Sequence, residues 1–69
     1  MNKFSKRLKD LREEKGLSQS QLANELNGKI THEALHYWEK GLRIPSLTSC
    51  IILADYFGVT LDYLAGREN

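Results

Sequence analysis

The sequence has little of several features on which small proteins rely. It holds one cysteine, Cys50, one proline, Pro45, and one tryptophan among 69 residues. A single cysteine excludes an internal disulfide and a cysteine-rich zinc site, as is usual in a reducing cytosol. No apolar run approaches the ~20 residues of a membrane span, and the polar segment after Met1 does not resemble a signal peptide. These absences predict a small cytoplasmic protein with no membrane partner.

An excess of charge of one sign is also missing, since the formal net charge is +1. The distribution is nevertheless uneven. Residues 1–43 hold nine Lys and Arg against six Asp and Glu, whereas residues 44–69 hold one against three. The first part of the chain is therefore mildly basic, which is compatible with binding to nucleic acid and equally with an ordinary solvated surface.

Apolar residues recur at helical spacing along the chain, and no segment shows the alternation typical of a strand. We predict an all-α fold with helices at about 3–15, 18–26, 31–40 and 47–57 and a last short helix after Thr60. The predicted N-caps are Ser18, Thr31, Ser46 and Thr60, and the predicted stops are Gly16, Gly41, Gly58 and Gly66. The length predicts a single domain, residues 1–69, with a core at 4–66 and a polar tail at 67–69.

The fourth helix carries apolar residues on more than one side. We expect its core face to consist of Leu47, Cys50, Ile51, Ala54 and Phe57. On that assignment Ile52 and Tyr56 lie outside, and together with Tyr63 they form a candidate dimer surface. The alternative is that they are ordinary scattered apolar residues.

The helix at 31–40 has one apolar side and one polar side. Its apolar stripe is formed by Ile30, Ala34, Leu35 and Trp38, which predicts that the other face is exposed. The polar residues of that face are His32, Glu33, His36 and Tyr37. Two interpretations compete for them, a zinc-protease motif and a DNA recognition helix.

The zinc interpretation starts from the match of residues 32–36 to H-E-x-x-H, in which two histidines hold the metal and the glutamate acts as base. Such a site needs a third protein ligand. The candidates are Glu39, Asp55 and Asp62, and no strand is predicted that could hold a peptide substrate. We therefore expect no enzyme activity, no metal, no other cofactor and no small-molecule ligand.

The DNA interpretation uses the neighbouring helix as well. Residues 27–29 are Asn-Gly-Lys, and Asn and Gly are residue types that favour turns. They join two short helices, each with one apolar face, in a helix-turn-helix pattern. In the major groove, His or Tyr can donate to guanine and Glu can accept from cytosine. Lys29, Lys40 and Arg43 flank the second of these helices, and Gln19 begins the first, so we expect all four to contact phosphates.

Several segments resemble a known family in the same order along the chain. They are Phe4-Ser-Lys-Arg-Leu-Lys-Asp-Leu-Arg12 with Gly16-Leu-Ser-Gln-Ser-Gln-Leu-Ala23, Trp38-Glu39-Lys40-Gly41, Arg43-Ile-Pro45-Ser-Leu47, and Leu53-Ala-Asp-Tyr-Phe57-Gly-Val-Thr-Leu61-Asp-Tyr-Leu64-Ala-Gly66. Together they resemble the phage-repressor and Cro-type helix-turn-helix family, the xenobiotic-response-element-type regulators, over residues 4–66.

The resemblance implies a compact five-helix, lambda-repressor-like domain that binds operator DNA, usually as a homodimer. It implies base contacts at positions 32, 33 and 37, a phosphate contact by Gln19, and a structural salt bridge between Arg12 and Glu39. One departure is the connection at 27–31, which is about two residues longer than the family's usual turn and affects how the recognition helix is placed.

These observations predict a sequence-specific transcriptional regulator, a repressor in its simplest form. A protein-interaction module of the same fold, such as an antitoxin or an adaptor, is the alternative that the weak overall basicity leaves open.

Overall fold

A computed structural model describes residues 2–68, so that Met1 and Asn69, the last residue of the predicted tail, lie outside the described part. Five helices occupy this range: α1 (Asn2–Glu14), α2 (Gln19–Glu25), α3 (His32–Glu39), α4 (Leu47–Phe57) and α5 (Leu61–Ala65). No strand occurs between residues 2 and 68. The predicted all-α, five-helix fold is confirmed, and the helix boundaries agree to about one residue. None of the five helices has the length and apolar character needed to cross a membrane.

Each of the four predicted N-caps accepts a hydrogen bond from a backbone N–H of its helix. At α2 the arrangement is reciprocal. The Ser18 hydroxyl accepts from the Gln21 N–H at 3.0 Å, and the Gln21 side chain accepts from the Ser18 N–H at 2.8 Å. This capping box satisfies two donors that a helix start otherwise leaves unpaired. It fixes the start of a helix of only seven residues, which could not be stable by itself.

Replacing Ser18 with alanine is expected to destabilise the fold by about 1 kcal/mol, because the Gln21 N–H loses its acceptor. Urea denaturation followed by circular dichroism measures the change. Ser20→Ala is the matched control, since Ser20 is exposed in the same helix and caps nothing. Equal denaturation midpoints for the two variants would show that the cap has no energetic role.

The core is formed by residues of all five helices and of the connection between α2 and α3. Its buried members are Phe4, Leu8, Leu22, Leu26, Ile30, Leu35, Trp38, Leu53, Ala54 and Leu64. Trp38 packs edge-on against Phe4 with ring centroids 6.5 Å apart. The buried Ser5 hydroxyl donates to the Trp38 carbonyl oxygen at 2.6 Å, so α1 holds the back of α3 through both apolar and polar contacts.

The predicted core face of α4 is partly wrong. Leu47 and Ile51 are 70% and 42% exposed, whereas Leu53 is fully buried. Ile52 and Tyr56, expected outside, pack against the core and are half-buried. Residues 50–54 are apolar without interruption, and a helix that is apolar on all sides gives no periodicity from which to choose its buried face. Contacts with the neighbouring helices therefore determine which side of α4 is buried.

Candidate nucleic-acid interface

The connection between α2 and α3 is an ordered turn. Asn27 and Gly28 both have left-handed backbone conformations, with φ of 58° and 74°. Their N–H groups donate to carbonyl oxygens of α2, Asn24 at 3.0 Å and Ala23 at 3.3 Å. Ile30, which follows, is 3% exposed. The residues that lengthen this turn are therefore hydrogen-bonded back to α2, and the buried Ile30 anchors the start of α3.

One face of α3 presents only polar and aromatic side chains. The four residues of this surface, which we call the α3 polar face, are His32, Glu33, His36 and Tyr37, and all four are exposed. Together with Gln19 they line a shallow concavity of about 260 Å³. The structure thus brings the four predicted base-contacting residues and one predicted phosphate contact to a single surface.

Contacts within the α3 polar face restrict its side chains. The Arg43 guanidinium lies 4.7 Å from the centre of the Tyr37 ring, and the His36 ring packs edge-on against the same ring at 5.7 Å. A cation over an aromatic face is attracted by the ring quadrupole. Tyr37 therefore stands between two neighbours, which limits the directions in which its hydroxyl can point.

Glu33 has a neighbour that alters its electrostatic effect. The His32 Nδ1 atom lies 3.5 Å from the Glu33 Oε1 atom, and both side chains are more than half exposed. The two form an ion pair only when the imidazole is protonated. A carboxylate near DNA phosphates is unfavourable unless a cation compensates its charge.

Arg12 and Glu39 form a bidentate ion pair behind α3. The Arg12 Nε–H and Nη2–H groups donate to Glu39 Oε2 and Oε1 at 2.8 and 2.9 Å. The two side chains are only 11% and 5% exposed. Arg12 also donates to the Leu17 carbonyl at 2.7 Å. The hydrogen bond to Glu39 raises the pKa of the Arg12 guanidinium, so this cation stays charged at any pH at which the protein folds.

Gln19 is attached to the same pair, which the sequence did not suggest. Its amide nitrogen donates to Glu39 Oε1 at 3.2 Å. One N–H of the amide is therefore used within the protein, and this bond holds the side chain in place at the edge of the α3 polar face. Glu39 consequently connects α1, α2 and α3 through a single carboxylate.

The three predicted basic contacts are exposed residues on either side of α3. Lys29 lies in the turn before the helix, Lys40 is its C-cap residue, and Arg43 lies in the loop beyond. The Leu42 N–H donates to the Tyr37 carbonyl at 2.9 Å, which folds that loop against the end of α3. Positive charge therefore borders the α3 polar face at both ends.

A larger concavity of about 420 Å³ lies between α1 and the end of α3, and the sequence did not predict it. Its charged lining is mixed: Lys6, Lys9 and Lys40 with Asp10, Glu13 and Glu39. Helical spacing alone would place residues 6, 9, 10 and 13 on one side of α1. Nothing in the sequence places that side next to Lys40, because their proximity depends on how α1 packs against α3.

The three residues of the predicted dimer surface each contact other side chains of the same chain. The Tyr56 hydroxyl donates to Glu25 at 3.1 Å, and its ring lies beneath the Lys15 ammonium group. The Tyr63 ring lies beneath the Arg7 guanidinium at 4.3 Å. Ile52 is half-buried against the core.

The histidine pair lacks the further ligands that the zinc interpretation requires. Within residues 2–68, no group of three or more His, Cys, Asp and Glu side chains is arranged to hold a metal ion. Glu39, the nearest candidate in the sequence, is bound to Arg12 and Gln19. Burial raises the pKa of the Cys50 thiol, which disfavours the thiolate form that binds metals.

Comparison with known proteins agrees with this geometry. A helix-turn-helix family model matches residues 8–64. The chain is 35% identical over 66 residues to the HTH-type transcriptional activator BcrR of Enterococcus faecalis, covering 96% of this chain and 31% of the relative. It is 33% identical over 66 residues to the HTH-type transcriptional regulator ImmR of Bacillus subtilis, covering 96% of this chain and 50% of the relative.

A further relative is the uncharacterized HTH-type transcriptional regulator YqaE of Bacillus subtilis, 36% identical over 66 residues, which cover 96% of this chain and 55% of the relative. The chain thus spans between about a third and about half of the length of these relatives. No significant match was found among solved structures.

Proposed function

The chain belongs to the Cro-type helix-turn-helix family, and from this premise we propose that it regulates transcription by binding specific sites on duplex DNA with α3 in the major groove. The observation that carries the proposal is the α3 polar face, where His32, Glu33, His36 and Tyr37 are exposed together beside Gln19. Helix-turn-helix proteins place the N-terminal part of their second helix against base edges.

The chemistry of the α3 polar face suits base recognition. An imidazole or a phenol can donate to guanine N7 or O6, and a carboxylate can accept from cytosine N4. His32 and Glu33 are the first two residues of α3, while His36 and Tyr37 follow one turn later. We propose that these four residues contact bases and that Glu33, whose carboxylate faces repulsion from phosphates, contributes least.

Phosphate contacts supply most of the affinity and fix the orientation on the duplex. Gln19, Lys29, Lys40 and Arg43 are proposed for this role, because they surround the α3 polar face and carry donors. Gln19 is positioned by Glu39, and Arg43 lies over Tyr37. Arg43 would therefore both bind a phosphate and support a base-contacting side chain.

Removing Arg43 should weaken binding to duplexes of any sequence and reduce the salt dependence. For each lost phosphate contact, the slope of log K against log salt is expected to fall in magnitude by about 0.9. Fluorescence anisotropy with a mixed-sequence duplex at several salt concentrations measures this slope for Arg43→Ala. Arg67→Ala is the control, because Arg67 is also exposed but follows α5, which packs against α1 and α4. Identical slopes for wild type and Arg43→Ala would show that Arg43 does not contact a phosphate.

The alternative is a protein-interaction module of the same fold, either an antitoxin or an adaptor. In that case the α3 polar face would meet a protein, and binding to DNA would be weak at every sequence. The salt series also tests this alternative, since it predicts no difference among wild type, Arg43→Ala and Arg67→Ala.

The proposed function includes several finer points. Chromosomal DNA in a bacterial cell lies in the cytoplasm, so the proposal places the protein there. It requires no catalysis and no cofactor. It includes a homodimer, because two copies reading a palindrome explain specificity with a short helix. Whether regulation is repression stays a prediction, since one relative is by its name an activator.

A further inference from the structure

Two histidines lie about one helical turn apart on α3. His32 and His36 are separated by four positions, so their side chains project from the same side of the helix. They are the only histidines of the chain, both are exposed, and both line the concavity beside α3. Two histidines at this spacing on one face of a helix can coordinate the same metal ion. The pair is therefore a candidate chelating site.

Glu33 favours one nitrogen of His32 as a metal ligand. The Glu33 Oε1 atom lies 3.5 Å from the His32 Nδ1 atom. A carboxylate at this position favours the proton on Nδ1, which leaves the lone pair of Nε2 available to a metal. Metal-binding histidines commonly have such a carboxylate behind them. Glu33 also lies in the first turn of α3, where its negative charge offsets the positive end of the helix dipole that would otherwise repel a cation.

The surroundings of His36 suit a hydrated ion. Its ring packs edge-on against the Tyr37 ring, with centroids 5.7 Å apart, which restricts its rotation. The adjoining concavity of about 260 Å³ has room for an ion and several water molecules at about 30 Å³ each. Gln19 and Tyr37 also line this concavity, and their amide and hydroxyl groups can form hydrogen bonds with waters on the ion.

The number and type of the ligands define the class of ion. Within residues 2–68 no third His, Cys, Asp or Glu side chain completes the site, so water would fill the remaining coordination positions. The site thus differs from that of a zinc protease, which has three protein ligands. Imidazole suits Cu²⁺, Ni²⁺ and Zn²⁺, whereas Mg²⁺ and Ca²⁺ prefer oxygen ligands. Of these ions Cu²⁺ is expected to bind most tightly.

We propose that His32 and His36 form a two-histidine site for a divalent late transition-metal ion, and that this ion and specific DNA exclude each other. The second part rests on the proposed function. A bound ion occupies imidazole nitrogens that would otherwise contact base edges, and its waters extend outward from the α3 polar face. In the major groove the bases approach the same atoms. The ion therefore acts as an inhibitor of specific DNA binding.

Isothermal titration calorimetry without DNA tests the metal site. At pH 8, where metal ligands are more readily deprotonated, we expect one Ni²⁺ per chain, tighter binding of Cu²⁺ and no binding of Mg²⁺. His32→Ala and His36→Ala should each weaken Ni²⁺ binding by at least about 10-fold, because even the loss of a residue behind a ligand costs about 10- to 100-fold. Glu33→Ala should weaken it by about 10-fold. The control Asp55→Ala removes another exposed helical carboxylate and should have no effect.

Circular dichroism checks that each variant is folded, and all of the substituted side chains are exposed. Two results would overturn the metal site. One is a wild-type chain that binds neither Ni²⁺ nor Cu²⁺. The other is a Ni²⁺ affinity that stays the same in both His32→Ala and His36→Ala, which would place the bound ion elsewhere on the protein.

Fluorescence anisotropy with the preferred duplex, with and without saturating NiCl₂, tests the exclusion. The wild type should bind at least about 10-fold more weakly with Ni²⁺, corresponding to the loss of one base contact. MgCl₂ at the same concentration is the control for screening by a divalent ion. The affinity of His36→Ala, whatever its value without metal, should not respond to Ni²⁺ beyond the Mg²⁺ control. An equal response of wild type and His36→Ala would refute the exclusion.

The two measurements separate this inference from the proposed function. A chain that binds the preferred duplex but no metal refutes the metal site alone. A chain that binds Ni²⁺ through both histidines but binds no DNA refutes the proposed function and the exclusion, and it leaves the metal site in place.

Discussion

Replacing Glu39 with alanine should destabilise the protein by about 3 kcal/mol, more than loss of any single cap. The reason is that the Arg12 guanidinium, only 11% exposed, would stay buried without its carboxylate partner. Gln19 would lose its anchor as well. The total stability of a chain this short is on the order of 3–10 kcal/mol, so the substitution would remove a substantial part of it.

Thermal and urea denaturation of four proteins isolates the interaction: wild type, Glu39→Ala, Arg12→Ala and the double variant. We expect the double variant to be less destabilised than the sum of the two single variants, because it leaves no unpaired buried charge. Asp10→Ala is the control. It removes an ion pair of similar length, Lys6–Asp10 at 2.9 Å, which is exposed to solvent. Additive effects in the cycle would mean that the Arg12–Glu39 pair does not stabilise the fold.

The second large effect is expected at Tyr37. Tyr37→Ala should weaken binding to the preferred DNA site by about 10- to 100-fold, the range for loss of one good base contact. Binding to unrelated sequences should change little, since the phosphate contacts remain. Anisotropy titrations with the preferred duplex and an unrelated duplex of the same length measure both quantities.

Tyr37→Phe separates two roles of this residue. Phenylalanine keeps a ring beneath the Arg43 guanidinium and loses only the hydroxyl. If the hydroxyl contacts a base, Tyr37→Phe loses specificity nearly as far as Tyr37→Ala does. If the ring serves only to position Arg43, Tyr37→Phe binds like the wild type, and Tyr37→Ala weakens binding to both duplexes equally. The latter result would contradict a base contact at Tyr37.

The parts of the fold that the sequence predicts well are those determined locally. Ser18 and Thr31 act on the next three residues of the chain, so their effect does not depend on distant packing. The orientation of α3 was also predictable, because a strictly polar face lies opposite Leu35 and Trp38. These features require only helical periodicity and short-range hydrogen bonds.

The parts of the fold that the sequence does not predict depend on contacts between residues that are far apart along the chain. The buried side of α4 was assigned incorrectly at Leu47 and Ile51, because an uninterrupted apolar segment leaves the choice to tertiary packing. The hydrogen bond from Gln19 to Glu39 joins residues 20 positions apart, and no pattern in either helix indicates it.

Selection of bound duplexes from a random-sequence DNA pool tests whether α3 recognises a specific DNA sequence. The wild-type chain is used alongside Tyr37→Ala at a fixed, moderate salt concentration. We expect the wild type to enrich a palindromic consensus whose half-sites lie about one helical turn apart. In Tyr37→Ala, we expect positions within each half-site to lose their preference for a particular base. Failure of the wild type to enrich any sequence would contradict recognition by α3.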